Sequence, residues 1–218
     1  RKKRSISAWK QRQSQLASDR ELLGQRRNRL VAQIARDFSA VSRIDGVSMR
    51  EAAVIDDYGT EQERAAARAL DTDTHWSQVD VPSLDPGGSN LTFMDPVGFR
   101  YHIPVYMTLT LEYGIPSLGG KLEANCLTSA TNALTSIGET MWRLHKDRPP
   151  TIGQEQAEYE SARLRILSTA QRQCCARYLV LTAITDRYDD HTHAIGYRWW
   201  LSLLPPDERA EANKIWTE

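Results

Sequence analysis

The densest chemistry in the chain lies in FMDPVGFRYHIPVYMTL, residues 93–109. Arg100 could clamp an anion or a carboxylate through paired N–H donors, and His102 could serve as a general base. A competing reading makes the stretch a packing element. Arg100 would then pair with an acid such as Asp95, and Phe93, Phe99, Tyr101 and Tyr106 would build a core around a break at Pro104. A general base needs a nucleophile or substrate group beside it, and no G-x-S-x-G elbow or equivalent is present. The packing reading is therefore the stronger, with Arg100 and His102 kept as binding candidates.

Three further clusters invite the same weighing. Asp186, Asp189, Asp190, His191 and His193 could hold a divalent metal, with Asp189, Asp190, His191 and His193 as ligands. Their spacing fits no EF-hand, and an acidic loop between helices is ordinarily just solvated. Asp56 and Asp57 with Glu61 and Glu63 read as a charged helix entry, since a two-metal site needs further acids converging in space. Cys174 and Cys175 fall within a helical stretch, where free Cys is usually a small core residue. No HExxH or paired CxxC pattern occurs, and no cofactor is expected.

Charge is spread unevenly along a chain whose formal net charge is zero. Residues 1–30 carry ten Lys/Arg against Asp19 and Glu21, a local net of +8, and the remainder carries −8. A basic arm on an acidic body follows. Arg1, Lys2, Lys3, Arg4, Lys10, Arg26 and Arg27, with Trp9 among them, could meet nucleic-acid phosphates. No helix-turn-helix, RNP or zinc-finger signature accompanies them. The same segment places Trp9, Leu16, Leu23 and Leu30 at seven-residue spacing, so a protein partner for that stripe is slightly favoured.

These groups must be positioned by helices. Residues 5–42 read as one long amphipathic helix, its stripe continued by Val31, Ile34, Phe38 and Val41. Gln13, Arg20 and Arg27 fill the second seam position, which argues against a free-standing coiled coil. Ser48 can cap a helix through Ile55, and Thr60 with Glu63 forms a capping box for a second. VPSLDPGGSN reads as a loop. Asp95-Pro96 starts a helix that Pro104 should break into two. A helix covers the region of Leu134 to Leu144, and RPPTIGQ ends it. Residues 163–166 alternate and could form a short strand. Ser168 and Gln171 cap a helix running to about residue 187, and AIGYRWWLSLL closes the chain as a last apolar helix. The fold class is mostly α, a small α-rich or α+β domain with at most one or two short strands. The division is a basic N-terminal helical arm, residues 1–29, and a single α-rich domain, residues 30–218.

In order, LVAQIARDFSAV, HWSQVDVPSL, LTFMDPVGFRYHIPVYM, LSTAQRQCCARYL and AIGYRWWL resemble a bacterial domain-of-unknown-function family, number 6714, over about residues 30–203. The central block is the specific part. His102-Ile103 departs from the usual aromatic and Leu, and Tyr197-Arg-Trp-Trp200 is longer than the usual closing pair. The resemblance implies a shared fold and no known activity.

No apolar run approaches the length of a membrane span, and the start RKKRSISAW lacks the apolar stretch of a secretory leader. Three cysteines without a disulfide framework fit a reducing compartment. The expectation is a cytoplasmic bacterial protein that binds another protein without catalysis of its own, as an immunity-type inhibitor or complex subunit. Nucleic-acid binding through residues 1–30 and a metal-dependent hydrolase or nuclease are the alternatives.

Overall fold

A computed structural model describes residues 2–115, 125–146, 153–185 and 191–215, with side chains outside the description at 2–17, 184, 185, 191–194, 214 and 215. All regular structure among these residues is helical: α1 (Lys2–Asp37), α2 (Met49–Asp56), α3 (Glu61–Leu70), α4 (Val81–Leu84), α5 (Pro96–Tyr113), α6 (Cys126–His145), α7 (Gln154–Ile166), α8 (Thr169–Thr185), α9 (His191–Leu201) and α10 (Pro206–Ile215), with 3₁₀ turns at Trp76–Gln78 and Asn90–Phe93. The mostly α expectation holds, long N-terminal helix included.

The expected caps are in place. Thr60 N–H donates to Glu63 Oε2 at 2.7 Å and Glu63 N–H returns to Thr60 Oγ1 at 3.3 Å. Ser168 and Gln171 exchange the same pair of bonds at 3.0 and 3.2 Å. Asp95 Oδ1 accepts from Gly98 N–H at 2.9 Å, with Pro96 behind it in the first turn, where a missing N–H costs nothing.

α5 is the centre of the molecule. Phe99, Tyr101, Ile103, Tyr106, Met107 and Leu111 are fully buried, and α1, α6 and α7 all pack against it. Here one expectation is corrected. Pro104 does not divide the helix, because α5 runs unbroken from Pro96 to Tyr113 with Pro104 inside it. An interior Pro costs about 3 kcal/mol in an exposed helix. In α5 the burial of nearly every neighbouring side chain outweighs that, and no competing conformation could keep the same core.

Three other expectations are revised. The alternating residues 163–166 form the last turn of α7 rather than a strand. Arg163 and Leu164 are both buried there, so two adjacent positions face inward and the period of two was accidental. VPSLDPGGSN contains the short helix α4 as well as loop. The apolar helix α9 is not the last, since Pro206 opens α10 as its first residue. A Pro pair can end one helix and begin the next, because its fixed φ suits a first turn.

Two close approaches depend on glycine. A Cβ on Gly196 of α9 would lie 2.3 Å from Thr135 O of α6, so these helices touch backbone to backbone. Trp200 then donates from Nε1 to Leu134 O at 2.6 Å across the same contact. A Cβ on Gly98 would lie 2.4 Å from Val47 O. That contact seats the 43–47 loop on the start of α5, where Val47 N–H also donates to Asp95 Oδ1 at 2.8 Å. No helix among the described residues is long and apolar enough to cross a membrane.

Candidate functional site

The seated loop carries Arg43, and around it lies an open cavity of about 430 Å³. Its walls include Arg43, Asp45, Arg68, Asp73 and Tyr101, with Ile44 at the rim. The wall residues come from four local elements: Arg43 and Asp45 from the loop after α1, Arg68 from α3, Asp73 from the segment after α3, and Tyr101 from α5. Asp73 accepts from Tyr101 Oη at 2.7 Å, and Arg43 Nε stands 3.5 Å from the same Oδ2. Arg43 also donates from Nη2 to Asp71 O at 2.8 Å and lies over the Tyr101 ring, 5.9 Å from its centroid. Burial, together with the hydrogen bond to Asp73 and its charge, pushes the Tyr101 phenol far up, so it stays protonated.

Behind Arg68 stands a fully buried carboxylate. Glu51 accepts from Arg68 Nη2 and, at 2.7 Å, from Arg68 Nε, with Ser48 N–H at 3.3 Å and Arg64 Nη2 at 3.7 Å. Burial alone would raise this carboxyl. The bonds from Arg68 and Ser48 and the two arginine charges overcome that and hold it below the usual range. Every charge in the wall except exposed Asp45 therefore meets an opposite charge inside the protein. Three large apolar side chains in and next to α2 and α3 face solvent: Ile44 in the loop before α2 is 76% exposed, Tyr58 between the two helices 97%, and Leu70 at the end of α3 66%. Tyr58 stands at φ 58°, in the left-handed region that bulky side chains seldom adopt.

The residues singled out from sequence are scattered. His102 sits one position beyond Tyr101 and is fully buried. Its Nδ1–H donates to Gly98 O at 2.8 Å, while Nε2 is enclosed without a hydrogen-bond partner. Burial lowers its pKa to about 4, so the ring is neutral at physiological pH and closed off from any ligand. Arg100 is half-buried and donates from Nε to Gln171 Oε1 at 3.2 Å. The pairing with Asp95 does not form, because Asp95 Oδ1 is used by Gly98 and Val47.

Arg26 pairs with Glu211 Oε1 at 2.6 Å and Arg27 donates from Nε to Asn28 Oδ1 at 3.1 Å, and neither lines the Arg43 cavity. Lys2, Lys3, Arg4, Trp9 and Lys10 lie on α1 with their side chains outside the described residues, as Arg1 is altogether. Asp189 and Asp190 also fall outside, and so do the side chains of His191 and His193. Among the described residues no group of three or more His, Cys, Asp or Glu converges on a cation position. Asp56 accepts from Ser89 Oγ at 3.0 Å, and Glu63 is occupied by its cap. Cys126, Cys174 and Cys175 are free and buried. Burial pushes the Cys174 thiol up to about 12, and raises the other two as well.

Sequence reading missed Arg43, Glu51, Arg68 and Asp73. Glu51 could have been noticed, since it stands three residues after the helix-capping Ser48. Nothing local ties Arg68 to Glu51 seventeen positions earlier, or Asp73 to Tyr101. A second depression of about 380 Å³ lies between α1, α8 and α10. Sequence pointed to Arg26 as a binding candidate and to Leu30 on the α1 stripe, and to no other polar residue of its lining.

Residues 26–120 match the family model described as Family of unknown function (DUF6714), the family that the motif order suggested. The span includes the FMDPVGFRYHIPVYM block and every residue lining the Arg43 cavity. No curated protein and no solved structure matches the chain.

Proposed function

We propose that this protein is a binding module for another protein, acting in the cytoplasm as an inhibitor or a subunit of a complex. One observation carries the reading: residues 44–70 offer three large apolar side chains, Ile44, Tyr58 and Leu70, to solvent, and Ile44 also lines an open cavity whose charges are nearly all paired internally. Exposed aromatic and aliphatic anchors next to a preformed, polar-walled depression are what a protein interface uses. Proton transfer is poorly served by the same surroundings. Tyr101 is held protonated and His102 is held neutral and enclosed. The three free, buried thiols fit a reducing compartment.

The test is affinity capture from a lysate of the source organism, with the native chain and an Ile44→Asp/Tyr58→Asp/Leu70→Asp variant as bait. A stoichiometric protein retained by the native chain and lost from the folded variant is expected. An empty native bait at low salt overturns the reading.

Nucleic-acid binding through residues 1–30 is the second reading, favoured by the local net charge of +8. It requires a gel shift that weakens steeply with added salt. No shift at about 50 mM salt removes it.

A further inference from the structure

Among its described side chains, α1 is built into the protein at its C-terminal end and exposed just before it. Leu30, Ile34 and Phe38 are buried on its stripe, facing α5 and α8. Upstream of Leu30 the cover thins: Leu23 on the stripe is half-buried against the core, Leu22 beside it is 48% exposed, and residues 18–29 are exposed or half-exposed throughout. At the point where the stripe emerges lies the depression of about 380 Å³. Its floor is apolar, made by Leu30, Val180, Leu181 and Leu204. The lining positions on α1 are 26, 29, 30 and 33, and those on α8 are 177, 180 and 181. Both sets follow helical spacing, so the depression is a groove between helices about two turns long.

The rim decides the sign of what enters. Arg26, Arg29 and Arg177 face Glu208 and Glu211, a net of +1. Arg26 is paired with Glu211 at 2.6 Å, and Arg177 holds both oxygens of Glu208 at 2.6 Å. Arg29 makes no ion pair among the described residues. Residues 18–30 of α1, which include the two rim arginines Arg26 and Arg29, carry four Arg against Asp19 and Glu21, a local net of +2.

We propose that the groove between α1, α8 and α10 is the docking site for an acidic amphipathic helix of a partner protein. The proposal rests on the protein-binding reading and adds a surface and a partner chemistry to it. A helix fits because two parallel ridges of side chains flank an apolar floor, into which anchors at i, i+3 or i+4 and i+7 can pack. Acidic residues on its flanks meet Arg29, whose charge, unpaired among the described residues, also steers the encounter. A nucleic acid fits this groove poorly. Its phosphates would gain nothing from the apolar floor of Leu30, Val180 and Leu204.

The experiment uses the full chain and fluorescence anisotropy. One probe is a labelled synthetic helix of about 18 residues with Leu at the anchor spacing and Glu elsewhere, long enough to hold helical structure. The others are its Lys-for-Glu counterpart and an oligonucleotide of about 30 nucleotides, single-stranded and duplex. The acidic helix is expected to bind far more tightly than the Lys version. Arg29→Glu should weaken it about ten-fold, and Arg29→Lys should restore most of the loss. Val180→Glu, which places a charge on the groove floor, should abolish binding. Arg29→Glu is the control should Val180→Glu disturb folding, because Arg29 is exposed and outside the core.

Equal binding of the two helices overturns the proposal, as does indifference to Arg29→Glu. An oligonucleotide that displaces the acidic helix overturns it and assigns the surface to phosphates. A concentration-dependent dimer in sedimentation that Val180→Glu abolishes also overturns it, since a second copy then fills the groove. If the acidic helix fails while the lysate capture succeeds through Ile44, Tyr58 and Leu70, only this proposal falls and the binding-module reading stands.

Discussion

Two arginine-centred regions of this molecule use the same side chain to opposite ends. Arg163, on α7, is 1% exposed. Its Nη2 donates to Leu91 O at 2.9 Å, Thr92 O at 2.7 Å, Met94 O at 2.9 Å and Tyr159 Oη at 2.8 Å. Its guanidinium lies 4.9 Å from the Phe99 ring centroid and 4.2 Å from that of Tyr159. It is a fastener for the backbone that leads into α5, and no ligand can reach it. Arg68 bonds only to Glu51 behind it, and its side chain is 42% exposed toward the cavity. The first arginine ties together the carbonyls of Leu91, Thr92 and Met94, the last two of which also accept from Tyr159 Oη. The second neutralises a buried acid and still presents a face to solvent. An arginine's role thus follows from which of its donors are left facing outward.

Removing the fastener should have the largest effect. Arg163→Met leaves the carbonyls of Leu91, Thr92 and Met94 without that donor and Glu160 without its neighbouring charge. A loss of about 4 kcal/mol is expected from breaking a buried charged network. The urea midpoint measures it, and a shift of less than about 1 kcal/mol would place Arg163 with Arg68 as a partly solvated group.

The next effect also comes from the enclosed centre. His102 has a folded pKa of about 4 against an ordinary value of 6.5. As pH falls below 6.5 the unfolded chain takes up a proton before the folded one does. Stability from this group is therefore complete above pH 6.5 and is lost as pH falls toward 4, by up to about 3 kcal/mol. His102→Phe, which cannot titrate, should remove that part of the slope in denaturation measured across pH 4–7. An unchanged slope would mean that His102 is reached by water.

On the open wall the effects are smaller. Arg68→Ala should cost about 2 kcal/mol, less than a fully buried pair because the arginine is partly solvated. It should also raise the Glu51 carboxyl. Glu51 contributes stability above its unfolded pKa and loses it as pH falls, so acid unfolding of the variant should begin at higher pH. Glu51→Gln combined with Arg68→Ala should recover part of the loss, since the uncompensated charge is gone.

Smallest in stability are the exposed anchors. Ile44→Asp and Leu70→Asp should change the melting midpoint by less than about 0.5 kcal/mol equivalent, as surface substitutions do. Their effect should appear in partner retention instead. Substantial unfolding from either would show that these side chains are packed.

Local chemistry was legible where it was short in range. The caps at Thr60, Asp95 and Ser168 could be read from neighbours within three residues, because a cap is satisfied inside one turn. The stripe of α1 and the apolar run of α9 were legible for the same reason. Pro104 misled because its cost is local while its compensation comes from α1, α6 and α7 packing around α5. Residues 163–166 misled because four residues cannot separate a period of two from a helical turn with two buried neighbours. Arg100 was assigned the wrong partner, since Asp95 lies near in sequence and Gln171 does not.

The sequence by itself determined a helical chain, the positions of its caps, the split between a basic start and an acidic remainder, and the likeness of residues 26–120 to one family model. Those properties depend on residue type and on spacing of a few positions. Only the tertiary structure decided that Arg43, Arg68, Asp73 and Tyr101 share a cavity, that His102 is enclosed, and that Arg29 borders a groove with Val180 and Leu204. Each of those depends on contacts between residues tens of positions apart, and such contacts exist only once the helices have packed.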